Sequence, residues 1–86
     1  MNKFFKSIKN LVFPTYPEPK VSTEEALEIL KSLADEKGWT WREPVEINSK
    51  RGKWMIWTHH GIRGVNVRGE IDQQTGEILE AGFMPR

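Results

Sequence analysis

The 86-residue chain contains no cysteine. That excludes a disulfide framework and a thiolate zinc site, so a domain this small must be held by apolar burial. Long hydrophobic runs are missing too, and no stretch approaches the ~18 apolar residues that a membrane-spanning helix needs. Nor is charge of one sign in excess. Thirteen basic residues stand against twelve acidic ones, net +1, without the basic surplus of a dedicated nucleic-acid binder. There is no internal repeat and no low-complexity tract.

What remains has the make-up of one globular domain: 37% hydrophobic residues, 29% charged residues and four tryptophans. The opening "MNKFFKSIKNLVF" starts like a signal peptide, but Lys6, Lys9 and Asn10 break any apolar core region. A cytoplasmic location is therefore expected. In helical projection Phe4, Phe5, Ile8, Leu11 and Val12 share one arc, and Lys3, Lys6, Lys9 and Asn10 lie opposite. This predicts an amphipathic helix over 2–13, ended by Pro14. Docking of that helix on a sheet is favoured over contact with a membrane surface, because a doubly apolar strand further on needs a cover. "PTYPEPK", 14–20, has three prolines in seven residues and reads as a stiff, extended connector.

A single α+β domain is expected over 21–86. Its helix opens on "VSTEE", where Ser22 and Glu25 have the spacing of a capping box, and stops at Gly38. Ala26, Ile29, Leu30, Leu33 and Ala34 form its apolar stripe, with Leu27 at the margin. Beyond Gly38 the period changes to two. "WTWREPVEI" places Trp39, Trp41, Val45 and Ile47 on one face, and Pro44 marks an edge or a bulge. "NSKRGK" is a polar turn. "WMIWTHH", apolar on both faces, predicts a central strand covered on each side. After the bend "GIRG", Val65, Val67 and Ile71 point inward while Asn66, Arg68, Glu70 and Asp72 point outward. "DQQTG" is a turn with Gly76 in the left-handed position. In the last strand Leu79, Ala81 and Phe83 share the inner face. The fold class that follows is α+β: two N-terminal helices packed on a four-stranded antiparallel β-meander.

Chemistry is sparse. Adjacent residues of a strand face opposite ways, so His59 and His60 cannot chelate one ion while the strand lasts. None of Ser7, Ser22, Ser32 and Ser49 occupies a strained strand-to-helix elbow beside a histidine. The glycines of "HHGIRGVNVRGE" open no helix and form no phosphate loop. No catalytic residue, metal ligand or cofactor is assigned, and a non-enzymatic protein is expected. The surface expected to bind a protein partner is the row Trp57, His59, Arg63, Asn66, Arg68 and Glu70, with Trp57 as anchor. The alternative is a small nucleic-acid-binding module on the aromatic-basic stretch 51–68, using Arg51, Lys53, Trp57 and Arg68.

Residues 26–80 resemble small bacterial immunity proteins with a nuclear transport factor two-like fold. Glu43-Pro44, Trp54-Met55-Ile56, Gly64-Val65, Ile71-Asp72 and Gly76-Glu77-Ile78 carry the likeness, in order and at suitable spacing. The resemblance implies a cytoplasmic antidote that occludes a cognate toxin. The helix-then-strands order ending in "IDQQTGEIL" is also similar to PepSY-type domains, which implies a modulator of peptidases. Both likenesses imply a binder that acts without turnover.

Overall fold

In the computed structural model, residues 16–85 of the chain are described. One helix, α1 (Thr23–Lys37), is followed by four strands: β1 (Val45–Lys50), β2 (Lys53–Thr58), β3 (Asn66–Asp72) and β4 (Ile78–Met84). All pairs are antiparallel and the spatial order is β1-β2-β3-β4, a meander with the helix on one face. The expected α+β class and four-stranded antiparallel sheet are thus present. Among the described residues there is one helix. The expected helix over 2–13 lies outside them.

Both ends of α1 follow from local chemistry. Ser22 Oγ accepts from the Glu25 N–H at 3.1 Å, and Glu25 Oε1 accepts from the Ser22 N–H at 2.9 Å, which satisfies two of the free donors at the helix start. At the other end Gly38 takes a φ of 75°. Its N–H donates to the Asp35 carbonyl, and the Trp39 N–H donates to the Ala34 carbonyl at 2.8 Å. This paired closure is the Schellman arrangement. It also turns Trp39 back onto the core, where its ring stacks on Phe83 with centroids 6.0 Å apart.

Register sorts the sheet into two faces. Toward α1 point Val45, Ile47 and Ser49 of β1, Trp54, Ile56 and Thr58 of β2, Val67, Gly69 and Ile71 of β3, and Ile78, Ala81 and Phe83 of β4. Ala26, Leu30 and Ala34 meet Ile56, Val67 and Ile71 to form the buried core. Gly69 is what lets the helix come this close. A Cβ on it would lie 2.6 and 2.8 Å from the two Leu30 methyl carbons, well inside van der Waals contact. The Trp54 indole reaches past the helix start and donates to the Val21 carbonyl at 2.8 Å, so its one polar group is satisfied.

Three expectations change. Residues 39–44 are not strand: β1 starts only at Val45, after Pro44, whose ring nitrogen has no hydrogen to donate to a ladder. The polar turn shrinks to Arg51 and Gly52, both with positive φ (52° and 78°), as a two-residue hairpin requires. Leu79 does not point inward. Glu70 pairs with Glu80 and Ile71 with Ile78, so Leu79 is the extra residue of a bulge and is 44% exposed. Strand β2 is central, as expected, with α1 on one face; the segment expected to cover its other face lies outside the described residues, among which Trp57 is 42% exposed.

Gln73 joins the parts at one end of the sheet. It is buried, and its Nε2 donates to Ser49 Oγ (2.7 Å) and the Lys53 carbonyl. Its own N–H donates to the Gly52 carbonyl, and its carbonyl accepts from both Lys20 and Val21. The end of the connector, the β1–β2 turn and the β3–β4 turn are thereby tied to one residue.

Candidate functional site

The face of the sheet away from α1 is built from three rows of side chains. Glu46, Trp57, Arg68 and Gly82 stand side by side across all four strands. The next row is Asn48, Met55, Glu70 and Glu80, and beyond it come Lys50, Lys53 and Asp72. Gly82 leaves a notch in the first row, since a Cβ there would meet nothing within 4 Å. With Met84 and Pro85 at the rim, the first two rows line a hollow of about 490 Å³.

Trp57 is the centre of this surface. The Arg68 guanidinium lies 5.8 Å from its ring centroid, within cation–π range. The His60 imidazole meets it edge-on at 6.2 Å. His60 Nε2 in turn contacts Glu46 Oε1, and the other oxygen of Glu46 accepts from Asn48 Nδ2 at 2.7 Å. A second hollow shares Trp57, His60 and Met84 with the first and adds Ile62 and Arg63 to the lining. Ile62 and Met84 are 50% and 47% exposed. An exposed aromatic, two arginines and two exposed aliphatic side chains therefore converge at the loop end of the sheet.

In the middle row the charges are acidic. Glu70 Oε1 accepts from Lys53 Nζ at 2.8 Å, and this hydrogen bond holds the Glu70 carboxyl below its ordinary value of 4.5. Glu80 stands directly opposite Glu70 across the β3–β4 ladder. Like charges in that position repel, and among the described residues no cation pairs with Glu80.

The expected partner row is divided by the structure. Trp57, Arg68 and Glu70 do share the open face, and Arg63 sits beside them in the adjoining loop. Asn66 does not point outward. It is 3% exposed, and its Nδ2 donates to the carbonyls of Thr58, His59 and Ile62 while its Oδ1 accepts from the Gly64 N–H. A polar residue of the right parity was drawn in because the 59–65 loop presents backbone groups that need a partner. His59 likewise serves the loop, with Nδ1 2.8 Å from the Gly64 carbonyl.

His60, Met84, Glu46 and Glu80 were missed as members of the surface. Only alternation within β1 and β4 marked the two glutamates as outward. Nothing local marked His60, because β2 ends at Thr58 and the chain turns before it. Of the residues of the nucleic-acid reading, Lys53, Trp57 and Arg68 share the open face, but Lys53 is engaged by Glu70. Among the described residues no three histidine, aspartate or glutamate side chains converge as a metal site, and no helix is long and apolar enough to cross a membrane. Comparison of the chain with protein-family models, with curated proteins and with solved structures finds no match in any of the three.

Proposed function

We propose that this protein is a non-enzymatic binder, and that it acts as an immunity-type inhibitor occluding the active or substrate surface of a cognate bacterial toxin. One observation carries this reading: among the described residues Trp57, stacked by Arg68, stands exposed at the loop end of the sheet next to Ile62, Arg63 and Met84. Tryptophan and arginine in a shared hollow are the residue types that dominate binding energy at protein interfaces. Both histidines nearby are already engaged, His59 by the Gly64 carbonyl and His60 by Glu46. The contacting residues under this reading are Trp57, His60, Ile62, Arg63, Arg68 and Met84, with Glu70 at the margin. Asn66 and His59 shape the loop that presents them.

The same face serves the alternative of a peptidase-modulating domain of PepSY type, which differs in the partner and not in the surface. A nucleic-acid module has less support, because Glu46, Glu70 and Glu80 share the face with Arg68 and would repel phosphates.

The test is co-expression with the product of the adjacent upstream gene. Co-purification of the two proteins and rescue of the host from that product are expected. Trp57→Ala should weaken the complex by roughly thirtyfold, about 2 kcal/mol, with the fold unchanged. A neighbour that is no toxin, together with failure to rescue, sinks the immunity reading. A neighbouring peptidase whose activity changes on binding moves it to the PepSY alternative.

A further inference from the structure

We propose that residues 2–13 dock as an amphipathic helix on the open face of the sheet, filling the part of the hollow around Met55 and Gly82. The inference does not depend on which partner the protein binds.

Four observations support this occupant. The face has an apolar centre, with Met55 in the middle row, Trp57 beside it and the Gly82 notch across from it. Residues 2–13 bring a matching stripe of Phe4, Phe5, Ile8, Leu11 and Val12. The charges are complementary. Glu70 and Glu80 oppose each other with Lys53 as the single cation paired to them among the described residues, while the segment carries Lys3, Lys6 and Lys9 and no acid. Of the three lysines on the polar side, Lys9 falls nearest the apolar stripe, roughly 40° beyond Phe5, where a long side chain can reach sideways to a rim carboxylate.

The entry point is also right. Tyr16 lies against Gly52 at the β1–β2 turn, with its ring carbon 3.1 Å from where a Cβ would be. The chain therefore reaches the sheet at its turn end, beside the row of Lys50, Lys53 and Asp72, with the Glu70–Glu80 row next in from it. Length agrees as well. Twelve helical residues span ~18 Å, and a strand of six or seven residues spans ~20 Å. A helix laid along the face from the turn end would cover Met55 and Gly82 and stop near Trp57. The loop-end patch of Ile62, Arg63 and Met84 would stay open.

The absence of cysteine allows a direct test on the full-length chain. Ile8→Cys is combined with Gly82→Cys, a position with room for a side chain, and compared with Ile8→Cys plus Glu28→Cys on the solvent side of α1. Under mild oxidation at low protein concentration, the open-face pair should close an intramolecular disulfide at least about tenfold faster than the control pair, because docking raises the effective concentration. Equal rates overturn the proposal. Disulfide-linked dimers alone also overturn it and make a second copy the occupant.

A second measurement needs no cysteine. In the unsubstituted chain the segment should shield Met55 from peroxide, and Ile8→Asp should raise the Met55 oxidation rate severalfold, with thermal unfolding confirming that the domain is intact. An unchanged rate overturns the docking. So does sedimentation of the intact chain with anionic vesicles accompanied by an unprotected Met55, which assigns the segment to a membrane surface.

Discussion

At the scale of single residues, the closest fit in the molecule is between Gly69 and Leu30. The glycine is a hole and the leucine is the knob that fills it, with both methyl carbons where a Cβ would have to go. Leu30 is completely buried, so its side chain has little freedom to swing away. Gly69→Ala should therefore cost about 1–3 kcal/mol through overpacking. Leu30→Ala alone should cost about 2–5 kcal/mol through the cavity it leaves. Combined, they should cost clearly less than the sum, because the added methyl enters the space the leucine vacates. Urea denaturation of the four proteins measures the cycle, and strict additivity would mean that the two do not share a space. The helical half of this contact was legible in the sequence as an apolar stripe at 3.6 spacing. The glycine half was not, because a glycine within a strand pattern does not say which atoms approach it.

Elements differ in how they are stabilised. Helix α1 carries its own start and stop, with Ser22 and Glu25 at one end and Gly38 at the other. The 59–65 loop has no capping pair, only the Ile62 N–H on the His59 carbonyl and the His59 ring on the Gly64 carbonyl. Gly61 and Gly64 take positive φ there, as do His59 and Val65, for which that region is unfavourable. What holds the loop is Asn66, through four hydrogen bonds to the backbone of residues 58–64. Asn66→Ala would leave buried carbonyls and an N–H without partners, at a cost of about 1–3 kcal/mol. Because His60, Ile62 and Arg63 ride on that loop, the variant should also weaken partner binding even though Asn66 lies inside. Isothermal titration beside a thermal melt separates the two effects. Full stability with weakened binding would show that Asn66 itself touches the partner, as simple alternation predicts. The contrast with α1 explains why the helix could be read from the sequence and the loop could not. Caps act within four residues, whereas an asparagine's fate depends on where the chain folds its carbonyls.

At the scale of the whole molecule, acid should loosen the fold at the sheet end held by Gln73. Asp72 Oδ1 accepts from the backbone N–H groups of Gln74 and Thr75, and these bonds hold its carboxyl below the ordinary 3.8. Glu70 is lowered chiefly by its hydrogen bond from Lys53. A carboxylate whose folded value is depressed binds protons more readily when unfolded. Its contribution is thus complete above the ordinary value and is lost as pH falls through the folded one. The midpoint of thermal unfolding should stay level down to about pH 5, then drop toward pH 2. Asp72→Asn can still accept through its amide oxygen, so it should keep the turn while flattening part of that drop. An identical acid slope in wild type and variant would show that Asp72 does not contribute. The same end of the molecule receives the connector, so loss of this turn should also relax the attachment of Lys20 and Val21 to Gln73.

The sequence by itself determined the α+β class, the helix with both its caps, the four-strand order and the left-handed Gly76. Each of these rests on interactions between residues close in the chain, and periodicity and capping report such interactions directly. Tertiary structure alone decided the bulge that turns Leu79 outward, the burial of Asn66 and Gln73, and the placing of His60 beside Trp57. These depend on pairing register and on backbone groups brought from elsewhere, and alternation along one strand carries no information about either. The candidate surface divides along the same line. Trp57, Arg68 and Glu70 lie in strands and were placed by parity, while its remaining members were gathered by a loop and a neighbouring strand that only the folded chain brings together.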